Sequence, residues 1–354
     1  MSRSTAAVWM GSFLLVLAAG CGAGGSGAAT ATGTAATPIK QVELLNVSYD
    51  PTRELWREVN EAFAADYLES HQTEVTIKQS HGGSASQARS IIDGLEADVA
   101  TLSLWPDTDA LRKQGLLQDG WEDRLPNKSL PYTSTVVFLV RAGNPKGIKE
   151  WADLVKPGVS VITPNPKTSG NGRLSLLAAW GSVTLNGGTE DEARELIRKL
   201  YQNVAVLDTG ARGATTTFSM KGIGDVFLTM ESEAQMTLVE SPGKFEIVYP
   251  PQSILHEPHL AVVDTVVDKK GTRTVAEDYL KFLYTPAGQE IVAKHFFRPI
   301  DPEVAAKHRD KFPKLMLFPI TAVAANWDEA QGKFFAENGI FDAIYQPVNV
   351  ENRE

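Results

Sequence analysis

Cysteine is almost absent from this chain: Cys21 is the only one in 354 residues. One thiol excludes a disulfide framework, so the fold must hold by packing alone. Positive charge is also short. The chain has 34 Lys and Arg against 43 Asp and Glu, a formal net charge of −9. Such a chain is a poor nucleic-acid binder and a poor long-range attractor of anions. Long apolar runs are missing too. The longest, Ala6 to Ala19, is too short to span a bilayer.

The usual enzyme signatures are also missing. There is no Walker A sequence, no G-x-S-x-G elbow and no H-E-x-x-H. Gly222-Ile223-Gly224 is too weak to suggest a nucleotide, and no carboxylate pair stands out. His256 and His259 are separated by Glu257 and Pro258, which breaks a helical i,i+3 pair, and no third ligand lies nearby. A metal site is therefore not expected, and these two read as surface or hinge histidines. No cofactor is implied. Trp105, Trp121, Trp151 and Trp180 read as packing residues.

What is present begins with an export signal. Residues 1–20 read as a signal peptide: Arg3, an apolar stretch, then small residues. Ala18-Ala19-Gly20-Cys21 looks like a bacterial lipobox, with Cys21 as the lipidated residue. Gly22 to Thr37 is almost entirely Gly, Ala, Ser and Thr. That composition cannot bury a core, so residues 21–40 read as a flexible tether at a membrane surface.

The rest alternates strand and helix, the pattern of an α/β fold with mostly parallel sheets. Its length fits two lobes. Residues 41–133 plus 251–354 would form lobe 1 and residues 134–250 lobe 2, joined by two hinge crossings. Four turns rich in small residues or Asp-Pro each precede a helical pattern: Ser48 to Pro51, Ser80 to Ser84, Lys167 to Arg173, and Asp208 to Gly213. Asp50 is expected to cap a helix with Pro51 at its first position, and Ser84 to Gln87 fits a capping box. Unpaired N–H groups and a partial positive charge make a helix N-terminus an anion site, and small residues let the anion approach. All four turns lie at a strand-to-helix step, two per lobe, facing one cleft.

These turns sit in longer motifs: LLNVSYDPTREL (Leu44–Leu55), QSHGGS (Gln79–Ser84), PYTSTVVFLVRAGNPK (Pro131–Lys146), ITPNPKTSGNGR (Ile162–Arg173), LDTGARGATTTF (Leu207–Phe218) and YLKFLYTPAGQE (Tyr279–Glu290). Together they cover nearly all of residues 41–345. They resemble the sulfate-binding and thiosulfate-binding proteins of ABC importers, whose fold is the two-lobed type II periplasmic binding protein. The resemblance implies a monomeric, exported receptor that closes on sulfate or thiosulfate and delivers it to an ABC permease.

Carried over by motif, the ligand donors are the Asp50 N–H, the N–H and hydroxyl of Ser84, the Ser169 hydroxyl, and the N–H groups of Gly170, Asn171 and Ala211. Gly83, Gly210, Met230 and Arg212 are further candidates for the cleft, with Arg212 expected behind the contact layer. His81 is expected to hydrogen-bond its own loop. Sulfate-binding members carry an indole donor where this chain has Met230, and a thioether donates nothing. Thr168-Ser169-Gly170-Asn171 and Thr215-Thr216-Thr217 lean toward the thiosulfate type, whereas LLNVSYDPTREL and QSHGGS lean toward the sulfate type. A donor-only site would reject protonated phosphate, unless the Asp50 carboxylate turns inward as an acceptor. A tetrahedral metal oxyanion, an exported sulfate- or phosphate-ester enzyme and a sensory module are the alternatives.

Overall fold

The computed structural model describes residues 39–345. The signal peptide, most of the tether and Cys21 lie outside the described residues.

The strands, in chain order, are β1 Lys40–Tyr49, β2 Thr73–Gly82, β3 Val99–Leu102, β4 Tyr132–Arg141, β5 Val161–Pro164, β6 Val204–Asp208, β7 Val226–Met230, β8 Phe245–Val248, β9 Gln252–His256, β10 His259–Val262, β11 Arg298–Pro299 and β12 Met316–Phe318. They form two sheets, and the same plan is used twice. In the first, β1 lies between parallel β2 and β3, and β10 adds antiparallel to β3. In the second, β5 lies between parallel β6 and β7, and β4 adds antiparallel to β7. β9 and then β12 extend that sheet beyond β4, while β8 and β11 pair with the two ends of β4.

Side-chain alternation explains how each sheet is covered on both faces. Along β4, Val136, Phe138 and Val140 enter one core, and Val137 and Leu139 enter another. The helix Arg53–His71 buries Leu55, Val59, Phe63 and Tyr67 at four-residue spacing, a one-sided stripe against the first sheet. The helix Gly170–Thr184 differs. Every residue from Gly170 to Gly181 is buried, because the helix is covered twice: its apolar residues pack on both sides and its buried Arg173 is paired with Asp107.

That second cover departs from the expected lobe boundary. Residues 251–354 are expected in the first lobe, and β10 with the helices through Lys294 does join its core. β12 instead pairs with β9 in the second sheet. Phe318, Phe334, Phe335, Ile340 and Phe341 then pack into the second core, with Phe334 edge-on to Trp180 at 4.9 Å. The chain therefore passes between sheets three times, at β4, between β9 and β10, and between β10 and β11, not twice. The stretch Leu174–Trp180 of the helix is the physical reason: it leaves no polar face for solvent, and one sheet face cannot cover it.

Candidate functional site

The carboxyl ends of six parallel strands, three from each sheet, converge. Asp50 follows β1, Ser84 follows β2, Ser103 follows β3, Ser169 to Asn171 follow β5, Ala211 follows β6, and Met230 ends β7. One cavity is lined by these residues together with Tyr49, Pro51, Gly82 and Gly83. Its volume is about 10 Å³, far below the roughly 300–1,000 Å³ typical of sites for drug-sized ligands. A space this tight suits only a very small ligand.

Helices begin at this cavity. Gly83, Ser169 and Gly210 are the N-caps of helices starting at Ser84, Gly170 and Ala211, and none of these ends has a side-chain cap. Their first N–H groups therefore lack an acceptor in the preceding turn. Ser169 Oγ makes no hydrogen bond to another described residue, and Ser169 is 3% exposed.

Three local expectations change. Asp50 opens a single 3₁₀ turn, Asp50–Thr52, and caps no helix with its side chain. Its carboxylate instead accepts from Arg53 Nη2 at 3.0 Å. The capping box at Ser84 to Gln87 does not form, because Gly83 takes the cap position and Gln87 bonds Ser80. The Ser84 hydroxyl is also committed. It donates to Asp107 Oδ2 at 2.6 Å and accepts from the Ser103 N–H at 3.0 Å. That leaves the backbone N–H as the Ser84 donor available to the cavity.

The two sheets approach closely here. A Cβ on Gly83 would come within 2.5 Å of Thr168 O. A Cβ on Gly210 would lie 2.5 Å from Asp50 Oδ2. Neither residue has a left-handed φ, at −61° and −153°. Close approach to a main-chain carbonyl, not turn geometry, is what requires glycine at Gly83, while the neighbour of Gly210 is the Asp50 side chain. Gly83→Ala is expected to weaken ligand binding at least tenfold by holding the sheets apart, without lowering the melting temperature of the free protein. Equal affinity in a calorimetric titration would show that the contact yields.

Among the cavity-lining residues the only ionisable side chains are Tyr49 and Asp50; none is cationic. Each nearby arginine is matched by an acid. Arg53 pairs with Asp50, Arg212 with Glu54 at 3.1 Å, and Arg173 with Asp107 at 2.7 Å. Arg212 and Gly210 do not line the cavity. Arg212 bridges the first and second sheets' helices instead. Behind it Glu233 is raised above the usual carboxylate range by burial, with Arg212 opposing, and accepts from Thr215 Oγ1 at 2.6 Å.

His81 bonds its loop, with Nδ1 3.2 Å from Tyr49 O and Nε2 2.7 Å from Gln79 Oε1. His256 and His259 do sit where the chain passes between sheets, but both are buried, so the surface reading is corrected. Burial pushes each down to about 4. Among the described residues no cluster of three or more His, Cys, Asp or Glu could hold a metal, and no helix is long and apolar enough to cross a membrane.

Residues 55–298 match the family described as bacterial extracellular solute-binding protein. The chain belongs to that family. Among curated relatives, the sulfate-binding protein of Escherichia coli K12 is 54% identical over 88% of this solute-binding protein and 95% of its own length. The thiosulfate-binding protein of Pseudomonas aeruginosa is 51% identical over 86% and 92%. Among solved structures, the sulfate-binding protein SubI of Mycobacterium tuberculosis H37Rv superposes with a TM-score of 0.76 at 33% identity, covering 83% of this solute-binding protein and 99% of SubI. These relatives are binding proteins, not enzymes.

Ser103 is the cavity residue that sequence reasoning missed. It has no Gly or Ser-Gly turn to mark it. The available signal was a buried strand ending just before Trp105-Pro106, since proline is at home in the first turn of a helix.

Proposed function

We propose that this protein captures sulfate in the cavity between its two sheets and delivers it to an ABC import permease. The observation that carries this reading is a small cavity ringed by uncapped helix starts and lined by no cation. In this reading the N–H groups of Asp50, Ser84, Gly170, Asn171 and Ala211 and the hydroxyl of Ser169 hold the dianion. Burying a charge is unfavourable unless its lone pairs are satisfied. Each hydrogen bond to a charged group contributes about 1.5–3 kcal/mol net, so half a dozen preorganised donors offset that cost. The three nearby arginines stay with their acids and act as supports.

Binding closes lobe 2, built on the second sheet, onto lobe 1. The Asp50 carboxylate is engaged by Arg53, which favours a donor-only site that leaves the proton of phosphate without an acceptor. Met230 favours a second reading, thiosulfate: its buried thioether lines the cavity and suits a soft sulfur better than a hard oxygen. Outside the cavity, Cys21 carries the lipid that holds a single copy of the receptor at the membrane.

Calorimetric titration of the purified protein with sulfate, thiosulfate, phosphate and molybdate, after dialysis to strip bound ligand, tests this. Tight sulfate binding with phosphate silent is the expected result. Thiosulfate alone would move the assignment to the second reading, and phosphate binding as tight as sulfate would sink the donor-only site.

A further inference from the structure

We propose that the Ser103 hydroxyl supplies the hydrogen bond to the bound dianion that Met230 cannot, and so sets the ligand preference of the cavity. The inference rests on reading the cavity as a sulfate site.

Ser103 lies one residue beyond β3, is 2% exposed, and lines the cavity. It stands across from Gly170, where a Cβ would lie 2.5 Å from Ser103 Oγ. Its hydroxyl thus sits beside a helix start from the opposite sheet. Met230, at the end of β7, lines the same cavity and offers no donor.

The direction of the hydroxyl proton follows from its neighbours. The Ser103 N–H donates to Ser84 Oγ at 3.0 Å. The Ser103 carbonyl lies 2.9 Å from His256 Nε2. A carbonyl only accepts, so Nε2 carries the His256 proton. The same Nε2 is 3.0 Å from Ser103 Oγ, which therefore meets a donor and accepts from it. Burial keeps His256 neutral near pH 7, with that one proton on the ring. His256 Nε2 is the only hydrogen-bond partner of Ser103 Oγ among the described residues. The hydroxyl's own proton is then left for the cavity. His256 is a positioning residue: it occupies the acceptor side of Ser103 and turns the donor side inward.

Sulfate titration of the full chain, of Ser103→Ala, and of Ser103→Ala with Met230→Trp tests this. Ser103→Ala is expected to weaken sulfate binding about 10- to 100-fold while the melting temperature without ligand stays unchanged. Met230→Trp in that background is expected to recover most of the loss, because the indole N–H restores a donor. Unchanged affinity in Ser103→Ala, with the wild type binding sulfate, overturns the role of Ser103 alone. A loss that Met230→Trp does not recover assigns Ser103 to packing and also overturns it. A wild type silent to sulfate overturns the reading of the cavity, and this inference with it.

Discussion

Replacing Arg173 with methionine is expected to weaken sulfate binding by two to three orders of magnitude. Arg173 belongs to the helix after β5, and Asp107 to the helix after β3, so the pair joins the two sheets. Both side chains are almost fully buried, at 6% and 5% exposure. Breaking a buried pair by removing one partner costs about 3–5 kcal/mol, because the other charge stays uncompensated. With the sheets apart, water would rehydrate Asp107, so the cost falls on the closed, ligand-bound state. Arg173 also donates to Pro166 O at 3.1 Å and stacks over Phe335. Asp107 in turn accepts from Ser84, whose N–H belongs to the proposed anion site. Combining Arg173→Met with Asp107→Leu should recover much of the loss, since an apolar pair of similar volume removes the orphaned charge. Calorimetry decides the matter: single and double variants that bind alike would mean that the charge pair carries no coupling.

Acid should destabilise the protein well before its carboxylates are protonated. His256 and His259 are buried, and burial lowers both to about 4, against roughly 6.5 for an unfolded histidine. The stability involved is fully present above the unfolded value. As pH falls from about 6.5 toward 4, the unfolded chain takes up protons that the native state refuses, so stability drops. Between pH 7 and 4.5 the loss is about 2.5 kcal/mol per histidine, roughly 5 kcal/mol together. Glu231, Glu233 and Glu257 are shifted upward by burial and oppose part of this drop. The clean readout is therefore a difference. His259→Phe keeps a ring beside Trp121, which His259 meets edge-on at 5.8 Å, and removes the titrating nitrogens. Urea unfolding at pH 7 and 4.5 should show a loss smaller by about 2.5 kcal/mol in the variant. Equal losses would mean that His259 titrates normally.

The elements were legible where the chain is punctuated. Asp50-Pro51, Gly82-Gly83 and Ser169-Gly170 marked helix starts because such residues suit strained or uncapped backbone. The strand TVVFLV was legible because it is apolar on both faces, as a covered strand must be. Capping roles were harder. The side chains of Asp50 and Ser84 could satisfy either their own helices or a neighbour. Arg53 and Asp107, brought close only by the fold, decided for the neighbour. The destination of residues 316–344 was not readable from local pattern, because β12 is three residues long. Its cause was present nonetheless in LSLLAAW (Leu174–Trp180), which leaves no polar face for solvent. Ser103 escaped for a similar reason: the residue is ordinary, and only the convergence of six strand ends makes it notable.

The contact of Gly83 with the Thr168 carbonyl has a consequence for how such a receptor diversifies. Where main chain meets main chain, no side chain is available to be exchanged, so this part of the cavity is an invariant frame. Variation in cargo must then be written elsewhere, at wall positions that carry a replaceable group. The ends of β3 and β7, occupied here by Ser103 and Met230, are such positions. A lineage of these receptors could change its preferred anion through those two residues and leave the frame that grips it untouched.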